Sequence, residues 1–168
     1  RQRQMCIRDR FMAMAVKMLR TNGEFVFITP RSWTSGTYFK SFRSYFMDSM
    51  DIQRVHLFES RNSVFKGKEG HSDDILQETM ITYGKKSKSQ SRNIIIAISQ
   101  NAQDLGKVKE IQVESGNCLP EGKEHYFVLP SDEEDLKVLN YMKKMPNTVE
   151  EAGFRFKTGQ VVEFRNKE

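Results

Sequence analysis

The run Gly23-Glu24-Phe25-Val26-Phe27-Ile28-Thr29-Pro30 constrains this chain more than any other stretch. Four consecutive apolar residues, Phe25 to Ile28, are the pattern of a strand covered on both faces, and Pro30 ends its hydrogen-bonding ladder. Ahead of it Phe11, Met14, Ala15, Met18 and Leu19 recur at three- and four-residue spacing, which places one apolar stripe on a helix. Asn22-Gly23 supplies a left-handed stop between the two. Helix, stop and buried strand predict an α/β sheet with crossover connections. Ligands of such sheets bind beyond the carboxyl ends of the strands, so Thr29, Pro30 and Arg31 form a candidate active-site loop, continued by Ser32 and Trp33. On position alone a structural alternative stands beside this one, with Trp33 as a loop anchor and Arg31 as a solvated charge.

The pattern turns helical again from Ser35 to Met50. Tyr38, Phe39, Phe42, Tyr45 and Phe46 mark an aromatic stripe suited to packing against a sheet, and Lys40 and Arg43 fall among the outward residues. Ile52 to Phe58 is the next strand, with Val55 and Leu57 on one face and Arg54 and His56 on the other. His56 has no Ser, Cys or second His at a motif spacing and reads as a half-exposed strand residue. Glu59 to Asp74 is a polar loop in which the apolar pair Val64-Phe65 needs a reason: it tucks back under the loop, or Phe65 presents its ring to a ligand. Ile75 to Tyr83 resumes as a strand, and Gly84 to Ser91 is a basic turn. Strand, loop and strand are expected to pair as an antiparallel hairpin at the edge of the sheet.

Beyond that turn, Asn93 to Ser99 and Lys109 to Glu114 read as two further strands, and Phe127 to Pro130 as a brief extended piece. Ser131 and Glu134 form a capping box for a helix whose buried side is Leu136, Leu139, Tyr141, Met142 and Met145. Pro146 stops it. Lys157 to Arg165 looks like a strand or hairpin that opens new structure.

Residues 1–10, Arg1 to Arg10, carry no apolar period and resemble translated sequencing-adapter sequence, so they are set aside from the fold. They hold four Arg and one Asp. Without them Lys+Arg falls from 27 to 23 and Asp+Glu from 22 to 21, and the formal charge drops from +5 to +2. Net charge is therefore a poor argument for nucleic-acid binding. With Cys6 set aside only Cys118 remains, which excludes a disulfide framework and a cysteine metal site. No apolar run approaches the roughly 20 residues a membrane span needs. A cytoplasmic protein without membrane attachment is the expectation.

No nucleophile–base pair, telling pair of carboxylates, phosphate-binding glycine loop or His/Cys metal cluster occurs in the sequence. The residues alone do not name a reaction, but their order does resemble a family. Phe11 through Lys86 is similar to the second half of the catalytic domain of class I adenine-specific DNA methyltransferases, in the TaqI-like, gamma-order group of type II and fused restriction-modification systems. The matching pieces are Ala15 to Gly23, Phe25 to Trp33, Ser35 to Phe39, the helix through Phe42, Arg43 and Phe46, then His56 to Arg61, Val64-Phe65 and Leu76 to Ile81. Where the family usually has two glycines this chain has Asn22-Gly23. Phe127 to Pro130, the capped helix and Thr158 to Arg165 resemble the segment leading into a target-recognition domain.

The resemblance implies an α/β fold, the C-terminal half of a Rossmann-like class I methyltransferase sheet leading into a target-recognition domain. Residues 11–88 are then the half-domain, 89–126 connecting strands and 127–168 the start of the recognition region. Phe65 matches the family's aromatic residue that stacks on the flipped adenine, which suits an enzyme that swings a base out of the duplex. Lys66 and Lys68, with Arg31, are candidate contacts to DNA phosphates. The implied cofactor is S-adenosylmethionine and the implied partner double-stranded DNA, with a restriction nuclease domain or subunit in the parent system. The family's glycine-containing cofactor turn and its Asn-Pro-Pro-Tyr type catalytic loop do not occur here. The parent is thus expected to be a methyltransferase, and this chain alone to be inactive, with no catalytic, cofactor-binding or metal residues of its own. Two alternatives remain: a non-catalytic nucleic-acid-binding or specificity module, and an RNA or protein methyltransferase of the same fold.

Overall fold

The computed structural model describes residues 2–59, 78–101 and 108–155. Helix α1 (Gln2–Met18) leads into strand β1 (Glu24–Pro30), and two 3-10 turns (Arg31–Thr34 and Thr37–Phe39) run into helix α2 (Lys40–Ser49). Strands β2 (Met50–Phe58), β3 (Thr79–Lys86), β4 (Asn93–Ser99) and β5 (Lys109–Glu114) follow, then a single-turn helix α3 (Ser115–Cys118) and helix α4 (Glu133–Lys143). The fold is mixed α/β, as the alternation of helical and strand periods predicts. Helix α1 takes in residues 2–10, which have no apolar period of their own. The left-handed stop is at Asn22, with φ +62. Its N–H reaches the Lys86 carbonyl at 2.9 Å and ties the stop to the far end of β3.

The five strands form one mixed sheet in the order β1-β3-β2-β4-β5. β3 is antiparallel to both β1 and β2, so those two run the same way; β4 is parallel to β2, and β5 antiparallel to β4. The expected antiparallel pairing of β2 with β3 is present, but not at the edge. β3 lies between β1 and β2, because the α2 crossover leaves a strand-wide gap that β3 fills. It also runs to Lys86, through the start of the segment that reads as a basic turn. Gly84 sits where β3 crosses a bulge in β2 between Ile52 and Arg54. A Cβ there would meet the Asp51 carbonyl oxygen at 2.2 Å, so the position requires a bare backbone.

One face of the sheet carries the core. Phe25, Ile52, Val55, Met80, Ile94, Ile96 and Val113 are buried beneath α1, α2 and the segment around Phe127 and Leu129. The other face, which the register gives as Val26, Ile28, Ile81, His56 and their neighbours, is more open. Val26 is 65% and Ile28 49% exposed, so β1 is covered on one face and not on both. The helices differ from expectation in the same sense. In α1 the buried residues are Met12 and Val16, one residue round from the predicted stripe, while Phe11, Met14 and Met18 are exposed. Phe39 and Phe46 are buried in the aromatic stripe, but Tyr38 and Tyr45 face outward. α4 is capped by Asp132, whose carboxylate accepts the Asp135 N–H at 2.9 Å, and Ser131 N–H donates to Asp135 in return at 2.7 Å. The cap is therefore Asp132, one residue later than the expected Ser131, with Asp135 in place of Glu134 and the return bond coming from the residue before the cap. Leu136 and Leu139 are half-buried, whereas Tyr141, Met142 and Met145 are exposed, since α4 touches the body by one narrow strip.

Candidate functional site

The carboxyl ends of β1, β2 and β4 and the start of β3 meet at one edge of the sheet, and the loop after β1 stands on it. Trp33 anchors that loop. It is fully buried, its indole N–H donates to Thr29 Oγ1 at 3.1 Å, and its ring lies 5.5–5.8 Å from Phe42, Phe46 and Phe127. Thr29 is thus a buried acceptor within the scaffold and does not reach solvent. Pro30 and Arg31 do. They line an open cleft of about 830 Å³ with Ser32, Thr34 and Ser35 on one wall and Tyr126, Phe127, Val128 and Leu129 on the other.

Arg31 stands at the boundary between this cleft and a smaller hollow of about 190 Å³ that also touches Phe58, Glu59 and Thr79. Its backbone N–H extends the β1–β3 ladder to the Glu78 carbonyl at 2.7 Å. Its guanidinium lies 3.9 Å from the Glu78 carboxylate and 3.5 Å from the Leu129 carbonyl, with about a third of the side chain exposed. The charge is neither simply solvated nor wholly committed: two weak, long contacts hold it at the mouth. Phe65, Lys66 and Lys68 belong to the β2–β3 connection and lie outside the described residues.

The two walls are joined by a residue that sequence reading placed on the outside. Arg43 is fully buried. Its Nη1 donates to the carbonyls of Trp33 (3.0 Å) and Gly36 (2.6 Å), its Nη2 to Glu124 (2.8 Å) and its Nε to His125 (3.0 Å). Its guanidinium also lies 5.3 Å from the centroid of the Tyr126 ring. Burial draws its pKa below the ordinary guanidinium value, and Tyr126 and Glu124 act against that shift. A signal for it exists in the sequence, because Phe39, Arg43 and Phe46 fall at i, i+4 and i+7, the spacing of one buried face. Tyr126 and the rest of the second wall carry no comparable signal.

His56 is half-exposed, as its strand position predicts, but it has a partner. Nε2 lies 2.7 Å from Ser99 Oγ on β4, and the ring packs at a tilt against Phe58, 4.7 Å between centroids. The pairing follows from the parallel register of β2 and β4 and is invisible in linear spacing. Burial, and then the Arg54 charge, lower the His56 pKa against the pull of the Glu110 carboxylate, and so favour the neutral ring. Ser99 is 4% exposed, which makes the pair a cross-strand tie and not an accessible nucleophile. Among the described residues no three His, Cys, Asp or Glu side chains gather as metal ligands. Nor is any helix among them long and apolar enough to cross a membrane.

Residues 2–65 match the Eco57I restriction-modification methylase family. The chain is 31% identical over 159 residues to the type II methyltransferase M.PstI of Providencia stuartii. It is 32% identical over 162 residues to the type II methyltransferase M.BsuBI of Bacillus subtilis. Along most of its length the chain is thus similar to restriction-modification methyltransferases. Each alignment covers 94% of this chain and 30% of the relative, so the chain spans about a third of the length of these two proteins. Among solved structures it is similar to the type IIG restriction endonuclease BpuSI, with TM-score 0.45 and 12% identity over 64% of this chain and 14% of that one. It is also similar to the M protein of the type I restriction enzyme EcoKI, with TM-score 0.44 and 12% identity over 78% of this chain and 23% of that one. The resemblance read from Phe11 to Lys86 is borne out at the level of this family, and the homology extends through the strands and helix that follow.

Proposed function

We propose that this chain is part of a site-specific adenine DNA methyltransferase, acting within a restriction-modification system together with a restriction nuclease domain or subunit. The observation that carries the proposal is the identity to two type II methyltransferases along 94% of the chain. The reaction moves a methyl group from S-adenosylmethionine to the exocyclic amino group of an adenine swung out of double-stranded DNA. A cleft at the carboxyl edge of the sheet, with Arg31 at its mouth, supports this reading. That edge is where α/β sheets bind ligands, and a guanidinium there suits a phosphate oxygen.

The described residues do not fit the methyl donor by themselves. Among the described residues the cleft lining carries one carboxylate, Glu78, and it faces the Arg31 guanidinium at 3.9 Å. What this chain contributes is therefore the substrate side. Phe65 stacks on the displaced adenine, Arg31, Lys66 and Lys68 contact phosphates, and Pro30 and Arg31 form the floor against which the base is held, on a loop that Thr29 anchors through Trp33. On this reading the chain alone transfers no methyl groups. The test is to express the chain alone and joined to whatever coding sequence adjoins it in its source DNA, and to measure labelled methyl incorporation into duplex DNA. Incorporation into adenine by the joined protein, and none by the chain alone, supports the proposal; methylation by the isolated chain, or of RNA or protein instead, overturns it.

A further inference from the structure

Four backbone carbonyls of irregular structure converge on Arg43: Trp33 and Gly36 from the turns after β1, and Glu124 and His125 from the segment that precedes the second wall. Glu124 and His125 lie in no helix or strand, and Trp33 sits in a short 3-10 turn, so these carbonyls depend on donors beyond regular structure; Gly36 accepts the Phe39 N–H at 3.1 Å as well. His125 is also a non-glycine residue with φ +50, a conformation that persists only where surrounding contacts fix it. A guanidinium supplies donors in a rigid planar fork and serves both turns at once; a lysine ammonium, a single nitrogen on a flexible stem, cannot. One direct link runs beside it, the Phe127 N–H to the Thr34 carbonyl at 2.9 Å. Others are the part-exposed ion pair of Lys40 with Glu124 at 2.7 Å, the long contact of the Arg31 guanidinium with the Leu129 carbonyl at 3.5 Å and the packing of Trp33 on Phe127.

We infer that Arg43 is a positioning residue: it fixes the two walls of the cleft relative to each other, and through that spacing sets the affinity of the cleft for DNA without touching the substrate. The second half rests on the methyltransferase reading above, and the first does not. Arg43→Lys keeps the charge and loses the fork. In the chain as it stands, amide hydrogen exchange at Gly36, Phe127 and Val128 is expected to quicken roughly tenfold or more in Arg43→Lys, from the loss of charge-assisted hydrogen bonds. The amides of β2, β3 and β4 keep their protection, and Lys40→Met leaves all of these rates unchanged. A uniform acceleration across the sheet assigns Arg43 to general stability and overturns the inference, as does no change at the walls. Should Arg43→Lys fail to fold, the wild-type chain decides. Gly36 and Phe127 are then expected to exchange through one opening with the same urea dependence, and separate openings refute the clamp. In the joined enzyme Arg43→Lys is expected to raise KM for duplex DNA about tenfold and leave kcat within about twofold. A fall in kcat at unchanged KM refutes the substrate half. If the wild-type enzyme methylates nothing, the methyltransferase reading fails while the exchange result still stands.

Discussion

Asp51 shows how one buried carboxylate governs a turn. It accepts the Ser91 N–H and hydroxyl, both at 2.6 Å, and the Gln53 amide at 2.9 Å. Burial pushes its pKa up, but the hydrogen bonds from Ser91 and Gln53 outweigh that and leave it below 3.8. A carboxylate depressed in the folded state contributes stability above its unfolded pKa and loses it as pH falls through the folded value. Urea midpoints measured between pH 7 and pH 2 are therefore expected to fall on the acid side, and Asp51→Asn to flatten that limb. Gly84→Ala drives a methyl group into the Asp51 carbonyl and is expected to cost about 1 to 3 kcal/mol in the same assay, as overpacking does. Cys118 is buried and its thiol is pushed up to about 12 by burial. It should resist alkylation at pH 8 in the folded chain and react once urea unfolds it, a difference peptide mass mapping reads directly. Phe65→Ala, on the proposed stacking role, should lower methylation by the joined enzyme roughly ten- to hundredfold while salt-sensitive DNA binding persists. At this scale the sequence was least informative about Arg43 and His56. Ser99 lies 43 residues from His56, and Glu124 and His125 lie 81 and 82 residues from Arg43, so the periodic position of Arg43 on a buried face could mark its burial but not its partners.

Most elements were legible because their patterns are local. Phe25 to Ile28, the alternation of β2 and the isoleucines of β4 each announce a strand, and Asn22-Gly23 announces the stop before β1. Faces were harder to read. In α1, Phe11, Met14 and Met18 form as good a stripe as Met12 and Val16, and only the position of β1 and α2 beneath the helix selects between them. The place of β3 was illegible for a different reason: a strand paired on both edges and one paired on one edge have the same alternation. β1 presents an unpaired edge among the described residues, with Val26 and Ile28 open on its outer face. Such a strand is a template for pairing with another chain. Sedimentation is expected to show concentration-dependent self-association of the isolated chain. Val26→Lys should weaken it without lowering the unfolding midpoint, because the side chain replaced is already in water.

At the scale of the molecule, the cleft's position followed from the strand-end rule, but only one of its walls did. Residues 126 to 129 reach it through Trp33, Thr34 and Arg43, contacts that no linear motif encodes. The order of the strands carries a consequence of another kind. β1 and β2 are made first, joined by a single crossover, yet neither can complete its hydrogen bonds with the other, since the strand between them is synthesised later. Glu24 waits for Lys85 and Met50 for Lys86. The entropy of closing those distant loops is spent before most of the sheet's contacts return anything, which favours slow, late folding. A nascent chain halted short of Thr79 therefore leaves the facing edges of β1 and β2 open, and that gap closes only after β3 has left the ribosome.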